Sequence, residues 1–330
     1  MFGLMLKSAF GVVIVDKMQL LSRLVRELHI SPGQAIKLVA SAPYRYKHYT
    51  IPKRQSGVRH IHHPSRELKT VQRWIVDNII SQLPVHECVY SYRAGRNITQ
   101  HASLHSRSNY LLCFDFTDFF PSLTYPWVVE YLQDESKNGR VELDDEAIRT
   151  VARLVCRHDS ASDTLALSIG APSSPLLSNA MLYSLDDKVS QMASALGVQY
   201  TRYADDVYFS TTHPNILQDV ENEFRRLVGL LTPGLRLNEM KTNRKSRKAR
   251  RTVTGLVLTP THEVSIGRSR KREIRTRVFL FSQGKLTKED SVSLSGLLSF
   301  VSDAEPGFVL RLRRKFGDQI IDSLLTYSTD

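Results

Sequence analysis

Apolar positions first recur at helical spacing from Met18 onward, where Leu21, Leu24, Val25 and Leu28 share a face. Ser31-Pro32-Gly33 interrupts that pattern, and a second helix runs on to Val39. Tyr44, Tyr46 and Tyr49 then alternate with Arg45, Lys47 and His48. That pattern suits either a half-buried strand or a surface that stacks on bases and neutralises phosphates. Ile51–Arg54, the Gln55-Ser56-Gly57 turn and Val58–His62 read as a basic hairpin. His60, His62 and His63 lie close in sequence, but no Cys or further His completes a metal site. Ser65 opens a helix through Leu68, Val71, Trp74, Ile75 and Ile79 that stops by Pro84.

Two later stretches change period. Tyr110–Phe114 is a continuous apolar run, the pattern of a buried strand, and it ends on Asp115. Tyr200–Ser210 places aromatic and β-branched residues on either side of Ala204-Asp205-Asp206, the pattern of a tight hairpin with an acidic tip. An acidic segment at about 133–163 lies between them, followed by Leu167–Pro175 and a helix from Ser174-Pro175 to Gly197. That helix carries Leu177, Met181, Leu185, Val189 and Met192 as a stripe, with Asp186-Asp187 expected on its wet face. Beyond the hairpin, Val220–Leu231 reads as helix, residues 241–251 as a basic loop and Val253–Leu258 as a strand. A helix bearing Arg268, Arg270, Lys271, Arg272 and Arg275 follows, and two or three helices complete the chain.

Charge narrows the function. The 330 residues carry a net +12, and residues 241–330 hold 19 Lys and Arg against 9 Asp and Glu. Such a surplus points to a polyanion, either nucleic acid or an anionic membrane surface. Cys88, Cys113 and Cys156 are too few and too widely spaced for a disulfide framework or a zinc site. They suit buried thiols in the cytoplasm. Ala9–Val15 is apolar but too short to span a bilayer, and nothing around it resembles a signal peptide. Residues 1–17 are expected to be loosely attached and dispensable.

The carboxylates carry the chemistry. Two adjacent Asp at a hairpin tip repel each other, and a hard divalent cation such as Mg²⁺ offsets the repulsion. A carboxylate at the end of a buried strand is costly unless paired, which makes Asp115 a metal ligand or a strand-end cap. Asp118 is expected to organise the next turn. Arg59, with Lys53 beside it, suits a triphosphate, since guanidinium forks onto phosphate oxygens. Gly170 and Ala171 permit a ligand to approach the backbone closely. Asn97 and His101 stand four apart and would share a helix face.

In this order the residues resemble the palm of reverse transcriptases over roughly residues 40–280. The motifs are Asp115-Phe116-Thr117-Asp118-Phe119-Phe120, Gly170–Pro175, Tyr203-Ala204-Asp205-Asp206 and Lys241. The retron branch is the most similar, because Asn97 to His101 and Val253-Thr254-Gly255 match two short elements of that branch. The resemblance implies an α+β right-hand polymerase, with fingers, a palm of antiparallel sheet backed by helices, and a helical thumb. The boundaries it implies are 1–109 for N-terminal helices and fingers, 110–252 for the palm with a fingers insertion at about 140–175, and 253–330 for a basic thumb. It implies an RNA-directed DNA polymerase using dNTPs and two Mg²⁺ ions, with Asp115 and Asp205 bridging the ions, Asp206 completing the site and Lys241 near the leaving group.

Phe116, Asp118, Phe119 and Phe120 would line the nucleotide, Phe120 as a gate against ribose. RNA contacts would come from Asn97, His101, Arg244, Lys245, Arg247, Lys248, Arg250, Arg251, Val253-Thr254-Gly255, Arg268, Arg270, Lys271, Arg272 and Arg275. The implied partners are a structured non-coding RNA, its branched msDNA product, a separate effector protein in phage defence and a host RNase H, with no membrane. Ile169 departs from the Gln that many relatives carry, which leaves fidelity and processivity open. The alternatives are another bacterial reverse transcriptase type, from group II introns or diversity-generating elements, and a non-catalytic RNA-binding scaffold.

Overall fold

The computed structural model describes residues 17–52 and 57–328. The expectation for residues 1–17 therefore lies, save for Lys17, outside the described residues, as does the one for Lys53. The chain opens with α1 (Lys17–Leu28) and α2 (Pro32–Ser41). Ser31 caps α2 reciprocally: its hydroxyl accepts from the Gln34 N–H, and the Gln34 side chain accepts from the Ser31 N–H. β1 (Tyr46–Pro52) and β2 (Val58–Pro64) pair antiparallel, with Tyr46 opposite Pro64. Next come α3 (Arg66–Asn78), capped by Ser65, and α4 (Ile98–Ser106), capped by Asn97.

The central strand, β3 (Tyr110–Thr117), leads to α5 (Phe119–Ser122), α6 (Tyr125–Lys137) and α7 (Asp145–Val155). β4 (Arg157–Asp159) and β5 (Thr164–Ala166) form a short hairpin, followed by α8 (Ser174–Met181) and α9 (Tyr183–Ala195). β6 (Gln199–Tyr203), β7 (Asp206–Thr211), α10 (Ile216–Leu231), β8 (Arg236–Leu237) and β9 (Asn243–Ser246) come next. β10 (Arg251–Val253), β11 (Leu256–Leu258) and β12 (Val264–Ser265) form a small antiparallel sheet. The chain finishes with α11 (Arg268–Ser282), α12 (Lys288–Ala304), α13 (Pro306–Phe316) and α14 (Asp318–Leu325).

Four sequence expectations change. The single helix predicted from Ser174 to Gly197 is two helices that break at Leu182. Asp186 is fully buried there rather than on a wet face. The predicted strand Val253–Leu258 is a hairpin, because Thr254 (φ 45°) and Gly255 (φ 83°) form a two-residue turn. The basic loop contains a strand, since β9 pairs with Tyr110–Cys113 of β3.

The chain forms two compact units. One comprises the described residues up to Tyr92, with Phe116–Val189 and Glu223–Asn238. Its helices α3, α6 and α7 bury Leu68, Val71, Ile75, Val128, Leu132, Val151 and Leu154. The other comprises Arg93–Asp115, Ser190–Asn222 and Glu239–Asp330. Its sheet runs β6-β7-β3-β9, antiparallel throughout. α4 lies against β6, β7 and the β10–β12 sheet. The core of this unit joins Leu111, Tyr208, Val253, Leu256 and Leu258 to Ile274, Leu294, Leu298 and Phe308 from the C-terminal helices.

Candidate active site

β6 and β7 are joined by the two-residue turn Ala204-Asp205, and Ala204 takes φ 56° to make it. Arg202, fully buried, braces the turn by donating to the Ala204 carbonyl at 3.1 Å. This turn puts Asp205 at the tip and makes Asp206 the first residue of β7. β7 lies antiparallel to β3 in a register that places Asp206 opposite Asp115. Directly opposed residues in such a ladder have Cα atoms about 4.5–5.5 Å apart. Asp115 and Asp206, far apart in sequence, thus meet at one end of one sheet.

The cluster is short of positive charge. Burial pushes the Asp206 carboxyl up to about 7, and the neighbouring charges of Asp205 and Asp115 push it the same way. Lys241, from the turn before β9, supplies the nearest counter-charge: its Nζ lies 2.9 Å from both carboxylate oxygens of Asp115. Burial pulls the Lys241 pKa down, but those hydrogen bonds and the field of the three aspartates outweigh it, and the net shift is upward. Three neighbouring carboxylates make a hard, anionic oxygen-donor set that suits a divalent cation of the Mg²⁺ kind. Among the described residues no three His, Cys, Asp or Glu side chains enclose an ion by themselves. Mg²⁺ is usually held by one or two carboxylates together with substrate phosphates, so the donor set fits it without an all-protein cage.

A buried polar chain backs the hairpin. His101 Nε2 and His105 Nε2 lie 2.6 and 2.7 Å from Thr201 Oγ1. His105 Nδ1 is 2.7 Å from Ser210 Oγ, which accepts from Ser108 Oγ at 2.9 Å. Burial depresses both histidines to about 3, so both are neutral at neutral pH.

The family model described as "Reverse transcriptase (RNA-dependent DNA polymerase)" matches residues 51–264. The chain is 35% identical to the "Retron Ec83 reverse transcriptase" of Escherichia coli over 304 residues, which is 90% of this chain and 95% of that one. This chain belongs to the retron reverse transcriptases. It is also similar to the "Retron Ec73 reverse transcriptase" of the same organism, 33% identical over 86% of this chain and 90% of the relative. With the "Retron Ec86 reverse transcriptase" it shares 29% identity over 96% of this chain and 95% of the relative. The enzyme is therefore an RNA-directed DNA polymerase with the family's α+β right-hand polymerase fold.

The four residues expected to carry the reaction, Asp115, Asp205, Asp206 and Lys241, all lie in one unit of this reverse transcriptase. The expected nucleotide contacts among the described residues lie in the other unit. Phe116 and Phe119 are buried, their rings stacked 5.9 Å apart, so both side chains belong to the core. Asp118 is exposed and takes a left-handed φ of 44° before α5, which makes it the turn residue the sequence suggested. Phe120 is half-buried on α5, and Arg59 is exposed on β2. What approaches Gly170 is the enzyme's own chain: a Cβ there would sit 2.8 Å from the His62 carbonyl. Ala171 is buried beside it.

The expected RNA contacts divide. His101 and Val253 are fully buried, and Asn97 is a helix cap, so this unit's fold uses all three. Arg251 is buried and donates to the Ser108 carbonyl. Arg244 pairs with buried Glu221, Lys271 with Glu305, and Arg247 donates to the Pro260 carbonyl. Arg270 and Arg275 lie over the rings of Phe300 and Phe308. Lys245 is half-buried on β9, while Lys248, Arg250, Arg268 and Arg272 stand exposed, as does Gly255 at its turn. Sequence reasoning missed Tyr208, Thr201, His105 and Arg202. Their only signal was alternation along the hairpin strands and the i, i+4 spacing of His101 and His105.

Proposed function

We propose that the enzyme binds a structured non-coding RNA and copies part of it into DNA joined to that RNA by a 2′–5′ branch, the msDNA of a phage-defence system. The observation that carries the chemistry is the register pairing of Asp115 with Asp206, with Asp205 at the adjoining turn and Lys241 on Asp115. Asp115 and Asp205 would hold two Mg²⁺ ions between them, and Asp206 would complete the set. When bound, such ions favour deprotonation of the attacking hydroxyl and offset charge on the phosphate oxygens.

The primer hydroxyl gives up its proton to solvent water and attacks the α-phosphorus of a dNTP; the new O–P bond forms, the bond to the β-phosphate bridge breaks, and pyrophosphate leaves. Lys241 turns from Asp115 toward the departing phosphates, neutralising their charge or giving up a proton. Phe120, five residues past Asp115, excludes a ribose 2′-hydroxyl. Residues 1–109 act as N-terminal helices and fingers, 110–252 as palm and 253–330 as thumb.

An RNA partner is supported by the exposed cations Lys248, Arg250, Arg268 and Arg272. In the other unit a groove of about 640 Å³ is lined by Arg45, Lys47, Arg66, Lys69 and Arg73. A cytoplasmic setting is supported by three free thiols, and no described helix is long and apolar enough to cross a membrane. A host RNase H removes copied template, and a separate effector protein completes the system. Sequencing nucleic acid purified with the protein tests the proposal. A branched RNA–DNA that disappears in Asp205→Asn plus Asp206→Asn, with RNA retention intact, is the expected result. RNA without DNA from the unmutated protein overturns it in favour of a scaffold.

A further inference from the structure

The alternation of Tyr44, Tyr46 and Tyr49 with Arg45, Lys47 and His48 suits either a half-buried strand or a surface for a polyanion, and the fold divides it. Tyr46 is the strand residue: its hydroxyl accepts from Gln72 Nε2 at 2.8 Å, and the same amide donates to the Leu154 carbonyl at 2.8 Å. Tyr44, two residues earlier, is 65% exposed, with its ring 4.9 Å from that of His158. Both tyrosines line the groove of about 640 Å³, together with residues of β1, the end of β2 and α3. Arg66, Lys69 and Arg73 stand at i, i+3 and i+7 on α3, hence on one face, and span about 10 Å of its length. Lys47 joins them from β1, where it pairs with His63 of β2. Among the described residues none of these four cations has a carboxylate partner, in contrast to Arg45, whose Nη1 lies 2.5 Å from Glu67. The walls are tied together by the chain itself: the Ser65 N–H donates to the Arg45 carbonyl at 2.8 Å, and Gln72 anchors Tyr46.

We propose that this groove holds an unpaired stretch of the bound RNA, with Lys47, Arg66, Lys69 and Arg73 against its phosphates and a base stacked on Tyr44. The inference rests on the RNA partner proposed above. Four cations without partners attract a phosphate chain, and the counterions released from that chain add to the affinity. Paired bases keep their faces inside a helix, whereas unpaired ones offer them to an aromatic ring, so the exposed Tyr44 selects a single strand. RNA rather than DNA is the occupant because the enzyme must hold it before any copying starts.

The test measures binding of the full chain to a short labelled oligouridine and to a blunt RNA duplex of the same length, by fluorescence anisotropy over a series of salt concentrations. Tyr44→Ala should weaken oligouridine binding by about 5- to 160-fold, the range for losing one stacked base, and leave the salt slope and duplex binding at parental values. Tyr44→Phe keeps the ring and should bind within about twofold of the parent. Lys69→Gln plus Arg73→Gln should flatten the slope of log affinity against log salt by about 1.4, at about 0.7 for each single-strand phosphate. In the nucleoprotein purified with its own RNA, ultraviolet crosslinking and mass spectrometry should find a ribonucleotide on the peptide that carries Tyr44. Parental oligouridine affinity in Tyr44→Ala, or an equal loss on the duplex, overturns the stacked single strand. An unchanged slope in the double variant overturns the phosphate contacts. A deoxyribonucleotide on the Tyr44 peptide, or no nucleotide there, overturns the assignment to RNA. A parent that binds neither probe and carries no RNA overturns instead the RNA partner on which the inference rests.

Discussion

Replacing Asp206 by Asn removes a carboxyl whose pKa the fold raises from the ordinary 3.8 to about 7, chiefly by burial and then by the charges of Asp205 and Asp115. The sign follows from proton counts. Between those two pH values the folded protein binds the proton more tightly than the unfolded chain does. The group's contribution to stability is therefore full below about pH 4 and is lost as pH rises through about 7. Above that, the folded protein carries an ionised carboxylate it disfavours. At about 1.4 kcal/mol per tenfold in affinity, the ceiling on this penalty is about 4 kcal/mol. Water at the sheet end and the partial counter-charge of Lys241 screen it, which brings the expected figure to about 2 kcal/mol. Asn keeps the size of the side chain and a carbonyl oxygen as acceptor. In EDTA, Asp206→Asn should therefore be more stable than the parent by about 2 kcal/mol at pH 8, a melting shift of about 4 °C. The gain should fall by about half near pH 5.5 and nearly vanish by pH 4. Scanning calorimetry of both proteins across that range measures it. A stability difference that is flat with pH, or that favours the parent at pH 8, would falsify the electrostatic account. Added Mg²⁺ should stabilise the parent at pH 8 more than the variant, which keeps Asp115 and Asp205.

Gly170→Ala should cost about 1–3 kcal/mol in chemical denaturation, because the new Cβ meets the His62 carbonyl at 2.8 Å on a backbone held at φ 110°. Arg251→Met should cost about 1–3 kcal/mol by leaving the Ser108 carbonyl without its buried donor. The salt dependence of RNA binding should not change in that variant, whereas Arg250→Gln should flatten its slope by about 0.7–0.9. Phe120→Ala should raise ribonucleotide incorporation in a primer-extension assay; unchanged sugar selectivity removes the gate role from this ring.

The sequence by itself determined the local pieces. Aromatic and β-branched residues around Ala204-Asp205-Asp206 specified the hairpin, and the apolar run to Phe114 specified a strand ending on Asp115. Ser31 and Ser65 marked helix starts because their side-chain oxygens satisfy end N–H groups wherever the helix lies. Tertiary structure alone decided partners. Asp115 and Asp206 face each other because of a strand register that no nearby residues encode. Arg251 looks like its basic neighbours in sequence, yet the fold buries it while leaving Lys248 exposed. The family resemblance put His101 among the RNA contacts, and Thr201, a hundred residues on, makes it a core residue. Local pattern sets which backbone forms, since it depends on neighbours a few positions away. Burial, pairing and proton affinity depend on groups brought close by the whole chain, so those properties of Asp206, Tyr208 and Lys241 exist only once it has folded.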